Sequence, residues 1–263
     1  MILIIAEKPS LARNIVAGIG KMTRKDGYFE NNDYLVTWAF GHLFTLDDIE
    51  DYSNATTTRW TMDNLPCFPE KFHFHLKTDQ NKQPDKGIIK QFNLMKTLIN
   101  REDVDTIVNA GDSDREGEII VRLCVQNAIQ NPKKQLRLWL PDQTPETVSQ
   151  GLKEMKEETE YDNLANEGFA RTYVDWLYGV NLTRYATLKT GTLLRVGRVI
   201  VPIVKAIYDR DMAIQNFIPD IYYGISSNEQ TNNEFVELNS KEKFDKNQLK
   251  KAQELCQKYN QEK

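Results

Sequence analysis

The stretch Gly111-Asp112-Ser113-Asp114-Arg115-Glu116-Gly117-Glu118 constrains this chain more than any other. Residues 104–110 before it form an apolar, β-prone run, and Ile120, Leu123, Cys124 and Ala128 after it repeat at helical spacing. An acidic turn between a buried strand and a helix is predicted. Residues two apart in an extended chain point to the same side. Asp112 and Asp114 are therefore expected to aim at one point beyond the strand's carboxyl end, where open parallel sheets place ligands. Crowded carboxylates raise each other's pKa unless a cation neutralises them. Hard oxygen donors with room for water suit Mg²⁺, with Mn²⁺ as a substitute. The plainer alternative is a solvated acidic turn at a helix N-terminus, where acids are electrostatically favoured.

The first residues supply a second half to this pattern. Ile2–Ala6 reads as a buried strand, and Pro9 suits the first turn of a helix carrying Leu11, Ile15 and Ile19. Glu7 ends the strand, so in a parallel sheet it lies on the same edge as Asp112. With Lys8, the two segments bring four carboxylates (Glu7, Asp112, Asp114, Glu116) and one lysine to one sheet edge. That set suits phosphoryl transfer: a metal for the phosphate, the lysine for developing charge, a carboxylate for proton transfer.

Strands alternating with helices predict an α/β fold with a mainly parallel sheet over residues 1–145. Residues 34–40 and 136–140 are further strand candidates, and 47–83 is irregular, as functional loop regions often are. From about Thr144 the pattern turns helical. Phe169, Tyr173, Trp176, Leu177 and Val180 form one apolar stripe, and Ile203, Ala206, Ile207 and Ile214 another. A mainly helical domain over 146–219 and a short, incomplete β-rich tail over 220–263 follow. The formal net charge of −4 argues mildly against a nucleic-acid binder. Yet Arg184, Lys189, Arg195, Arg198 and Lys205 fall in one run without Asp or Glu. Three separated cysteines make neither a zinc site nor a disulfide framework. His73 and His75 alternate with no third ligand near, and Trp38, Trp60 and Trp139 are expected in the core. The apolar start is too short for an export signal or a membrane span, so the cytoplasm is the expected compartment and no membrane partner is expected.

At this point a resemblance becomes specific. Ile4-Ile5-Ala6-Glu7-Lys8-Pro9-Ser10, with Asp112, Asp114 and Glu116 in Ala110-Gly111-Asp112-Ser113-Asp114-Arg115-Glu116-Gly117-Glu118, resembles the Toprim signature of type IA DNA topoisomerases, nearest the topoisomerase III branch. Val36-Thr37-Trp38 with Gly41-His42-Leu43, then Trp60 with Leu65-Pro66 and Pro69, resemble later family motifs in the same order. So do Arg171 with Asp175-Trp176-Leu177-Tyr178-Gly179-Val180-Asn181-Leu182-Thr183-Arg184, and Val196-Gly197-Arg198-Val199. The matches run from about Met1 to Pro219. Where the family has polar residues around the last motif, this chain has Arg195, Ile200 and Val201. Where it often has a serine-rich turn, this chain has Pro141-Asp142-Gln143-Thr144 after Leu140.

The resemblance implies a Toprim domain binding Mg²⁺ through Glu7, Asp112, Asp114 and Glu116, with Glu7 and Lys8 catalytic. It implies single-stranded DNA held by Arg171, Arg184, Arg195 and Arg198. In the family a tyrosine in a Tyr-Pro-Arg-like motif on a later domain attacks the DNA backbone. No Tyr-Pro-Arg occurs here, and Tyr208-Asp209-Arg210 falls where the family has a structural helix. The expectation is an N-terminal fragment or truncated form that lacks the nucleophile and is inactive alone, completed by a downstream domain or a partner chain. The alternatives are a Toprim metal-dependent nuclease or primase-like enzyme, which needs no tyrosine, and a non-catalytic single-strand-binding module.

Overall fold

A computed structural model describes residues 1–52, 59–79, 83, 85–232 and 234–261. Its compact units are Met1–Val201 and Pro202–Lys263.

The first unit is built on a seven-stranded sheet. In chain order its strands are β1 (Ile2–Ala6), β2 (Thr23–Arg24), β3 (Tyr28–Glu30), β4 (Tyr34–Trp38), β7 (Thr106–Ala110), β8 (Lys134–Arg137) and β9 (Lys156–Glu157). β5 (Phe44–Leu46) and β6 (Phe74–Leu76) form a separate antiparallel pair. The sheet order is β2-β3-β4-β1-β7-β8-β9. β4, β1, β7 and β8 run parallel, and antiparallel β2, β3 and β9 finish the two edges. The α/β fold expected from the strand-helix alternation is therefore present.

The centre of the sheet is apolar on both faces, as parallel strands covered by helices must be. Leu3 and Ile5 of β1 face one core layer with Leu35 and Ile107, beneath α3 (Lys86–Ile99) and α4 (Arg115–Ala128). Ile4 and Ala6 face the other with Val36 and Val108, covered by Leu11 and Ile15 of α1 (Pro9–Ile19) and Val148 of α5 (Pro145–Gly151). The sheet continues beyond residue 145. α5 starts at Pro145 and packs against α1, and β9 pairs with β8.

The helical stretch is dominated by α6 (Asp162–Thr190), whose Phe169 and Tyr173 meet Phe74, while Phe72 lies flat on Tyr173 at 4.3 Å. The irregular region expected over 47–83 holds α2 (Ile49–Tyr52), a single 3₁₀ turn (Met62–Asn64) and β6, and part of it lies outside the described residues.

α7 (Ile200–Gln215) carries the second predicted stripe, and it has no buried residue. Ile203, Ile207 and Ile214 are exposed, so the periodicity locates the helix without locating a core. In the second unit β10 (Tyr222–Tyr223) pairs with β13 (Phe244–Asp245), β11 (Ser226–Thr231) forms a hairpin with β12 (Glu234–Asn239), and α8 (Leu249–Gln261) follows. No helix among the described residues is long and apolar enough to cross a membrane.

Candidate active site

β1 and β7 are adjacent and in register, Ala6 opposite Ala110, so the residues that follow them emerge side by side at the carboxyl edge. Glu7 Oε2 accepts from the Asp112 backbone N–H at 3.2 Å. Lys8 Nζ donates to Asp112 Oδ2 at 2.5 Å. Burial pushes the Glu7 carboxyl above the usual glutamate range, and the nearby Asp112 charge adds to the rise. The hydrogen bond to Asp112 holds the Lys8 ammonium above its ordinary range. The remaining oxygen, Asp112 Oδ1, is buried without a hydrogen-bond partner. A buried bare carboxylate oxygen is costly and calls for a cation or donor.

The turn itself is shaped by two glycines. A Cβ on Gly111 would sit 2.0 Å from the Gly117 carbonyl oxygen, and one on Gly117 would sit 2.4 Å from the Asp112 nitrogen. Nothing larger than glycine lets the turn close on the first turn of α4. Arg137, fully buried, fastens it from below. Its guanidinium donates to the carbonyls of Asn109, Gly111, Asp112 and Leu138 and pairs with Glu118 at 2.7 Å. Ser113 Oγ donates to the Leu140 carbonyl.

The other two acids turn in different directions. Asp114 is the N-cap of α4, and its side chain accepts from Gly117 N–H at 2.8 Å, the role of the plainer alternative. Glu116 meets His42 Nε2 at 3.3 Å and Arg171 Nε at 3.8 Å. Burial holds the His42 imidazole below its ordinary pKa. Among the described residues no three His, Cys, Asp or Glu side chains are close enough together to enclose a metal ion. The donor present at the innermost point is a hard one, the unpaired Asp112 oxygen, of the kind a hard cation accepts.

The four arginines expected to hold DNA separate clearly. Arg171 also approaches Asp175 at 3.5 Å, and Asp175 pairs with Arg198 at 2.5 Å. A row of alternating charge thus runs from Glu116 along α6 to Arg198. Arg195 is exposed and has no ion pair among the described residues. Arg184 departs from expectation. It is buried, pairs with Asp48 at 2.5 Å and Glu50 at 2.7 Å, and lies over Trp60 at 4.9 Å. Both of its terminal nitrogens donate to these carboxylates, so the side chain fastens α6 to the segment of Asp48 and Glu50. Its motif neighbours share that fastening role. Asn181 brackets the Cys67 backbone, accepting at 2.7 Å and donating at 3.0 Å, and Trp176 Nε1 donates to the Asp47 carbonyl.

No motif singles out Arg137, and His42 stands in the sequence only as part of Gly41-His42-Leu43. Arg115 was passed over too; it pairs with Glu167 at 2.5 Å while its Nε is buried without a partner.

Comparison with known proteins fits this geometry. Residues 2–140 match the model of the Toprim domain, and residues 159–263 match that of DNA topoisomerase. The chain belongs to the type IA DNA topoisomerase family. It is 36% identical over 259 residues to DNA topoisomerase 3 of Shouchella clausii, covering 97% of this chain and 34% of that protein. It is 38% identical over 223 residues to DNA topoisomerase 3 of Bacillus subtilis, covering 84% of this chain and 29% of that protein. This topoisomerase III-like chain therefore spans about a third of the length of the curated relatives it matches. Toprim domains bind divalent metal, and the family implies contact with DNA.

Proposed function

We propose that this chain supplies the phosphate-handling, metal-assisted part of a type IA topoisomerase acting on single-stranded DNA. The observation that carries the reading is the Glu7–Lys8–Asp112 cluster at the carboxyl edge of the central strands, with one buried Asp112 oxygen unpaired. Asp112 would hold Mg²⁺ or Mn²⁺, with Glu7, Asp114 and Glu116 contributing directly or through water. When bound, such a cation neutralises phosphate charge.

The protein's own groups then have separate tasks. Lys8 keeps a positive charge at the edge where a DNA oxygen becomes negative. Glu7, held against the Asp112 backbone at the strand end, is the carboxyl placed to pass a proton to a leaving oxygen. Exposed Arg195, with Arg171 and Arg198 on the charged row, meets strand phosphates, whereas Arg184 serves the fold. The nucleophilic tyrosine comes from outside residues 1–263, in a longer chain or a partner chain. The compartment is the cytoplasm.

Titration calorimetry with Mg²⁺ tests the metal role. The parent chain is expected to give weak, saturable heats, and an Asp112→Asn/Asp114→Asn variant none. Equal heats for both would remove the metal from the reading.

A further inference from the structure

A cavity of about 600 Å³ opens beside the acidic edge, on the β2–β3 side of the sheet. Its size falls within the range of about 300–1,000 Å³ usual for small-molecule sites. Pro9 and Phe40 form part of its wall. Phe40 lies between Ala39, whose N–H donates to the Ala6 carbonyl, and Gly41, whose N–H donates to the Glu7 carbonyl. The cavity is thereby tied by backbone to the residue that opens the acidic site, yet it shares none of the four carboxylates.

Its lining combines two chemistries. Phe29 and Trp38, tilted against each other at 5.7 Å, and half-exposed Phe40 provide aromatic surface. Arg13, Arg24 and Lys25 provide positive charge, and none of them makes an ion pair among the described residues. The one acid in the wall, Asp26, is already matched by Lys90 at 2.8 Å. The surplus positive charge is therefore real, on a chain whose net charge is −4.

The walls are also held in place. Gln91 donates to the Trp38 carbonyl at 2.6 Å and to Thr37 Oγ1 at 3.3 Å, which fixes the backbone under the tryptophan. Gly27, at φ +83°, turns the β2–β3 hairpin so close to α3 that a Cβ there would fall 2.2 Å from Leu94 Cδ2.

We propose that this cavity is a nucleotide subsite, with a base stacked on Phe40 and Trp38 and its phosphate met by Arg13, Arg24 and Lys25. Aromatic faces accept any base, and unpaired cations accept the phosphate, so the pairing of the two selects a nucleotide over an acidic peptide or an apolar ligand. The nucleotide is either one unit of a DNA strand or a free mononucleotide. The subsite is independent of metal at the acidic edge.

Photocrosslinking in EDTA tests it. One arm uses an oligothymidylate carrying a single 5-iodouracil, the other 5-iodo-2′-deoxyuridine monophosphate, and mass spectrometry maps the labelled peptide. Label on Trp38 or Phe40 is expected, with binding about tenfold weaker in an Arg24→Glu/Lys25→Glu variant and in Phe40→Ala. Both sites of change are exposed, and circular dichroism verifies folding. Labelling by the oligonucleotide alone assigns the subsite to a strand, and labelling by both assigns it to free nucleotides. Label absent from residues 29–40, or unchanged in both variants, overturns the proposal. Because no metal is present, this outcome is separate from the calorimetric result at Asp112.

Discussion

Gly117 leaves no room for a side chain, and this sets how closely Asp112 is held. Alanine there would place its Cβ 2.4 Å from the Asp112 nitrogen and 2.5 Å from its carbonyl oxygen, both backbone atoms that cannot rotate away. The turn must open, shifting the unpaired Asp112 oxygen away from Lys8 and Glu7. Gly117→Ala is expected to cost about 1–3 kcal/mol, as overpacking does, and to abolish the Mg²⁺ heats. A melting temperature and calorimetric trace identical to those of the parent would show that the turn tolerates the extra carbon. At this scale the sequence spoke unevenly. The order of carboxylates and glycines marked the turn, and strand ends put Glu7 beside Asp112. Alternation predicts an Asp114 side chain free to join Asp112, but that side chain turns back to cap α4. Arg184 misled for a related reason. A cation in an acid-free run looks solvated, and only the fold brings Asp48 and Glu50, well over a hundred residues earlier, against it.

Between α4, β8 and the 3₁₀ turn Glu158–Tyr161 lies a buried ionic network. Arg122 meets Glu118 at 2.7 Å and Glu158 at 3.2 Å, Arg137 meets the other Glu118 oxygen, and Asn109 donates to Glu158. Glu158 Oε2 has no partner. Burial pushes the Glu158 carboxyl up to about 7, above its ordinary 4.5. The folded chain therefore keeps a proton on Glu158 that the unfolded chain releases between pH 4.5 and about 7. Across that window the native state binds more protons, so stability falls as pH rises, by at most on the order of 3 kcal/mol. Glu158→Gln, which cannot ionise, is expected to flatten this slope. Melting curves at pH 5 and pH 7.5 provide the check, and parallel falls in both proteins would exclude Glu158 as the cause. The elements themselves were largely legible. β1, α1, β4, β7 and α4 follow from apolar periodicity and turn residues. The network was not, because Arg137 ends a strand, Lys134–Arg137, whose polar sequence gives no hint that the arginine goes inside.

Over the whole chain, ordered motifs carried the family reading further than composition did. A net charge of −4 points away from DNA, yet the positive groups are local, and local fields decide where a strand lies. Periodicity also found α7 without saying what covers it, since a helix repeat records an apolar face and not its partner. Activity is the property that belongs to this scale. Relaxation by covalent strand passage needs an activated nucleophile held beside the scissile phosphate, so that the energy of the broken bond is kept for religation. No Tyr-Pro-Arg occurs in the sequence, and Tyr208, the nearest in pattern, is an exposed residue of α7. Under the proposed reading, a cation held at Asp112 would neutralise and orient phosphate, but it would store no bond. The 263-residue chain is therefore expected not to relax negatively supercoiled plasmid in Mg²⁺. An agarose gel decides the matter. Relaxed topoisomers that vanish in Tyr208→Phe would make Tyr208 the nucleophile, whereas nicked or linear product without a protein–DNA adduct would move the chain to the metal-dependent nucleases. With neither product, relaxation should appear only when a tyrosine-bearing segment is supplied, in a longer chain or in trans, and should then be lost in Asp112→Asn.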